Sequence, residues 1–105
     1  MTTFDEREQG FEKKFAIDAE QEFNATARRN RMLGEWAAEL MGLETVQDYA
    51  RAVVKADMEQ PGDEDVLRKV FGDLKGAGVT VSEGDVRRKM DELLAQARDQ
   101  IKKGG

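Results

Sequence analysis

The sequence predicts an all-α fold, a four-helix bundle with a flexible N-terminal arm. Three observations carry this. Apolar residues recur at i, i+3, i+4 spacing through four segments, which Gly42, Pro61-Gly62 and Gly76/Gly78 separate. The connections are about three to six residues long, which suits antiparallel neighbours. The single β-like run, Val79-Thr80-Val81, is too short for a sheet of its own. The boundaries read as an arm over about 1–17 and a helical domain over about 18–105, with helices at about 18–41, 45–59, 63–76 and 82–102.

The arm carries Phe4, Phe11 and Phe15, whose spacings of seven and four place them on one narrow face if the segment is helical. Gly10 in its middle costs a helix about 1 kcal/mol relative to Ala, and so short a segment is marginal in water. The arm is therefore expected to fray when alone and to become helical when its Phe face is covered. The alternative is that the three Phe fold back onto the domain's own surface.

Asp18 and Gln21 form a capping-box pair at the start of the longest helix. Phe23, Thr26, Ala27, Met32, Leu33, Trp36, Ala37, Leu40 and Met41 then span an arc of roughly 220°. That is wider than one contact face, so this helix is predicted to be the central member, with Trp36 in the core. Arg28, Arg31, Glu35 and Glu39 form its narrow polar strip, with Arg31 and Glu35 able to pair at i,i+4. Arg29 and Asn30 point into the apolar arc. Either the bundle stops short of them or they meet partners inside it. The part of the helix before Arg28 reads as an extension able to carry the arm into a partner, and the part after Leu33 as bundle.

Gly42 stops this helix. Thr45, with Asp48 three residues on, reads as the next cap, followed by the stripe Val46, Tyr49, Ala50, Val53, Val54 and Met58. Asp63 reads as the cap of the third helix, whose buried stripe is Val66, Leu67, Val70, Phe71, Leu74 and Ala77. Ser82 and Asp85 form the second capping box, Val81 can staple against Val86, and Met90, Leu93, Leu94, Ala97 and Ile101 continue the core face.

Composition narrows the function classes. The 105-residue chain is 37% charged and 39% hydrophobic, enough apolar content for one modest core. Its net charge of −5 argues against a general nucleic-acid or anionic-membrane binder. With no His, no Cys and Ser82 as the only Ser, the commonest bases, nucleophiles and metal ligands are missing, so neither an enzyme nor a metal site nor a cofactor is expected. The glycines near 72–78 lack the Lys-Ser/Thr of a phosphate loop, and the turn from Asp57 has Pro61 and Arg68 where a calcium loop needs ligands. Asn24-Ala25-Thr26 lies inside a helix and has no secretion signal before it. The cluster Arg28, Arg29, Arg31 is either a solvated face or a contact for an anion or nucleotide.

The stretches FDEREQGFEKKFAIDAEQEF, ARRNRMLGEWAAELMG and DVLRKVFGDL are similar to the alpha-proteobacterial inhibitor of F-type ATP synthase, its zeta subunit. The resemblance runs essentially end to end and is most specific in ARRN-x-x-LG-x-WAAE. It implies a four-helix core and an inhibitory arm that inserts at a catalytic interface between the alpha and beta subunits, near the gamma rotor. The arm becomes helical there and blocks rotation in the hydrolysis direction. By position the arm is Met1 to about Ile17, with Phe4, Phe11 and Phe15 as anchors and Asp5, Arg7, Glu8, Lys13 and Lys14 as polar contacts. The resemblance also implies a cytoplasmic protein, a monomer when free, peripheral to the inner membrane through the ATP synthase. Three Phe anchors barely offset the ordering of such an arm, so tight binding needs further contacts.

Overall fold

The computed structural model describes residues 18–104. The arm and its residues Phe4, Asp5, Arg7, Glu8, Phe11, Lys13, Lys14 and Phe15 lie outside them. Four helices follow in order: α1 (Ala19–Met41), α2 (Val46–Glu59), α3 (Asp63–Gly76) and α4 (Glu83–Lys102). No strand occurs among the described residues, and Val79 and Val81 instead pack from the α3–α4 connection onto the core.

Local chemistry sets the helix ends. Asp18 Oδ1 accepts from the Gln21 amide at 2.8 Å while Gln21 Oε1 accepts from the Asp18 amide at 3.3 Å, closing the expected box on α1. The Ser82–Asp85 box on α4 is equally reciprocal, at 3.0 Å in both directions. Gly42 ends α1 at φ 70°, and the Leu43 amide returns to the Ala38 carbonyl at 3.0 Å. The other two starts differ from expectation. Thr45 makes no side-chain cap, and Asp48 pairs with Arg51 instead. Gly62, not Asp63, is the N-cap of α3, and the Asp63 carboxylate pairs with Arg29 on α1.

Helix α1 is central. It packs against α2, α3 and α4, most extensively against α2 and α4. Leu33, Ala37, Val53, Val66, Val70, Leu74, Val86 and Met90 meet in the core. Trp36 is half-buried against this cluster, with Lys89 Nζ 5.8 Å from its ring centroid. Tyr49 on α2 donates from its hydroxyl to Asp73 Oδ2 on α3 at 2.7 Å. Burial, then the Asp73 carboxylate, pushes that phenol well above its ordinary pKa.

The buried face of α1 is rotated from the predicted arc. Ala25, Arg29, Asn30, Leu33, Gly34, Ala37 and Ala38 are buried, whereas Phe23 is 59% and Leu40 44% exposed. Small residues dominate that face because the helices approach closely. A Cβ on Gly34 would lie 2.6 Å from the Ala50 Cα on α2, which is backbone and cannot swing aside. Gly34→Ala therefore loses stability although Ala is the better helix former. The expected loss is about 1–3 kcal/mol, read as a lower urea midpoint. An unchanged or raised midpoint would show that α1 and α2 separate freely here.

Candidate functional site

The described residues begin at Asp18, the cap of α1, and α1 is tied to the bundle from its first turn. Arg98 on α4 forks onto Glu22, donating from Nε to Oε1 at 3.0 Å and from Nη2 to Oε2 at 2.6 Å. Ala25 is fully buried, and Arg28 Nη1 donates to Gln100 Oε1 at 3.2 Å. The expected extension before Arg28 is thus part of the bundle. The side chains that look polar in a one-dimensional reading are what dock it.

The three arginines of the cluster separate. Arg29 is only 1% exposed, and its Nε donates to Asn30 Oδ1 at 2.8 Å while its Nη2 reaches Asp63 Oδ1 at 2.8 Å. Asn30, also 1% exposed, donates from Nδ2 to Asp57 Oδ2 at 2.9 Å. The other Asp57 oxygen accepts from the Gly62 amide at 3.2 Å. So Arg29 and Asn30 meet partners inside the bundle, and no buried side-chain polar atom among the described residues lacks a hydrogen bond. Arg29 is a structural group rather than an anion contact, since its guanidinium faces the α2–α3 corner.

Arg28 and Arg31 go elsewhere. With Arg51 and Lys55 of α2 they border an open groove of ≈ 930 Å³ between α1, α2 and the end of α4. Ala27, Val54, Met58 and Ile101 give the groove an apolar floor. Arg31 does not pair with Glu35, whose Oε2 accepts from Gln47 Nε2 at 2.7 Å. Neither Arg31 nor Lys55 has an ion-pair partner among the described residues. Such an arrangement can hold carboxylates or phosphates. Sequence reasoning missed Arg51 and Lys55, because isolated cations on a second helix join the cluster only through the α1–α2 contact. Phe23 and Met58, the most exposed large apolar side chains described, line a neighbouring hollow with Ala19 and Pro61.

The arrangement carries no catalytic constellation among the described residues, and no group of three or more acidic residues there could hold a metal ion. No described helix is long and apolar enough to cross a membrane. The sequence model of a family described as ATPase inhibitor subunit zeta matches residues 1–100, which takes in the residues before α1 as well as nearly all of the four helices. The chain belongs to that family. A chain solved by solution NMR is similar to it, with 45% identity and a TM-score of 0.67 over 79% of this chain and 96% of that one. No curated protein matches it. Membership of the zeta family makes this chain a regulatory protein of the ATP synthase, not an enzyme.

Two outcomes test the anchoring of α1. Asp63→Ala leaves the buried Arg29 guanidinium without its carboxylate and should cost about 2–4 kcal/mol in urea unfolding. Adding Arg29→Met, which removes the stranded charge and keeps the volume, should recover much of it. If the double variant is no better than the single one, the penalty comes from something other than the buried charge. The second outcome concerns pH. The Arg98 fork holds the Glu22 carboxyl below its ordinary 4.5, so the pair's contribution is full above that value and is lost as pH falls through the depressed one. For this largely solvated pair the expected size is about 0.2–1 kcal/mol. Glu22→Gln should therefore be less stable than the unmodified chain at neutral pH and equal to it in strong acid, as followed by thermal melts across pH.

Proposed function

We propose that this chain inhibits ATP hydrolysis by the catalytic head of F-type ATP synthase through insertion of its N-terminal arm. The supporting observation is that the zeta-family match starts at residue 1 and so takes in the arm as well as the bundle. Met1–Ile17 enters a catalytic interface between an alpha and a beta subunit beside the gamma rotor. There the Phe4, Phe11 and Phe15 face is covered and the segment becomes helical. Asp5, Arg7, Glu8, Lys13 and Lys14 supply polar contacts around the apolar face, and the inserted arm blocks rotation in the hydrolysis direction. The partners are then the alpha, beta and gamma subunits, and the chain sits in the cytoplasm, peripheral to the inner membrane through that enzyme. Before binding it is a monomer.

The bundle suits this role as a rigid holder. Glu22 and Arg98 tie the first turn of α1, the turn that follows residues 1–17 in the sequence, to α4. Coupled folding of such a segment on its partner uses amphipathic anchors.

Hydrolysis by the purified head, measured with increasing amounts of inhibitor, tests the proposal. The chain without residues 1–17 should keep its helical circular dichroism and lose inhibition. Full inhibition by that shortened chain would refute the arm reading. Burying a Phe contributes about 1.5–3 kcal/mol, so Phe11→Ala should raise the half-inhibitory concentration by on the order of 10–100-fold.

A further inference from the structure

Four cations bordering one groove stand out in a chain whose net charge is −5. Among the described residues no carboxylate lines that groove, although Arg51 also pairs with Asp48 one turn back on its own helix. On α1 it extends from Gln21 to Arg31, a helical rise of about 15 Å or nearly three turns. Arg28 and Arg31 on this side are spaced i,i+3, and Arg51 and Lys55 on the other side i,i+4, so each rim repeats its charge after one helical turn. Between the rims lie Ala27, Val54, Ile101 and the 62%-exposed Met58. A Met there supplies an adaptable apolar surface.

We propose that this groove is a second docking surface for the ATP synthase head and receives an acidic amphipathic helix of that enzyme. Its apolar stripe lies on the Val54–Met58–Ile101 floor, and carboxylates spaced one turn apart meet the cations of both rims. The inference rests on the reading that the chain acts on that head. Three physical arguments favour a helix over a small phosphate ligand. The trough is long and open rather than closed around a ligand, its charge is spread along two rims rather than gathered at one end, and no aromatic ring among the described residues lines it to stack a nucleotide base. Its position adds a fourth. Gln21, its first lining residue, is three residues from Asp18, so the groove starts within one helical turn of the point where residues 1–17 join α1 in the sequence. A contact there raises the local concentration of the arm at its own site without touching it.

The test is inhibition of the purified head by the full chain with Arg51→Glu and Lys55→Glu together. Both side chains are exposed, so the helical signal and unfolding midpoint should match those of the unmodified chain. The half-inhibitory concentration should rise at least 10-fold at low ionic strength, and its dependence on salt should flatten, while saturating inhibitor still stops hydrolysis fully. The milder Arg51→Gln/Lys55→Gln pair should fall between. A photo-cross-linking residue at position 55 should capture an acidic helical segment of the head. Phe11→Ala separates the two readings: it reports on the arm and should weaken the block of hydrolysis while cross-linking from position 55 persists. Unchanged inhibition by the charge-reversed chain, or cross-links only to this chain's own N-terminus, would overturn the groove proposal and leave the arm reading standing. Unchanged inhibition, combined with ATP-induced backbone NMR shifts at Arg31 and Val54 that the charge reversal abolishes, would assign the groove to a phosphate instead.

Discussion

Everything in this bundle is arranged around a charged side chain that α1 turns inward. A buried guanidinium is tolerated only where its donors are matched, and Arg29 finds Asn30 beside it and Asp63 across the α2–α3 corner. Asn30 in turn needs Asp57, which also holds the Gly62 amide. These contacts fix the corner against α1 more specifically than apolar packing could, because apolar groups accept many rotations and this set accepts one. Once Arg29 and Asn30 face inward, helical geometry sends their neighbours Arg28 and Arg31 toward the rim. The basic groove is thus a geometric consequence of the buried network.

The second constraint is the close approach of α1 and α2 at Gly34 and Ala50. It places Arg51 and Lys55 opposite Arg28 and Arg31 and leaves little room for large side chains along the seam. That is why the buried face of α1 is rich in Ala and Gly, and why Phe23 and Leu40 lie outside it. A polar latch at one end of α1 and a close seam further along hold the helix in place, and α4 secures its first turn through Arg98.

These features also explain which parts of the fold were legible in the sequence. The Asp18–Gln21 and Ser82–Asp85 boxes, the Gly42 stop and the stripes of α3 and α4 are local, so the sequence alone locates them. Thr45 does stand at the N-cap of α2 without a side-chain bond there, the N-cap of α3 falls one residue earlier than expected at Gly62, and the Asp48 and Asp63 carboxylates go to arginines. The arc of α1 was read too far toward its large residues, since hydrophobicity does not register that Ala and Gly mark the closest contact. Arg29 and Asn30 announced themselves by sitting on the wrong face, yet their partners lie 34 and 27 residues away, beyond the reach of any periodicity. The groove was half visible as Arg28 and Arg31. Its other half required knowing which helix packs beside α1.

The charge distribution has a functional logic that composition alone obscures. A net charge of −5 disfavours casual attraction to nucleic acid or anionic lipid, both of which present charge over large areas. A confined basic trough with an apolar floor answers instead to a ligand that brings carboxylates and a hydrophobic stripe together within a few turns of helix. Within about a Debye length the net negative charge repels anionic surfaces, while the groove presents a local patch of the opposite sign. In a regulatory protein of the ATP synthase, that combination gives the bundle a surface of its own with which to distinguish anions.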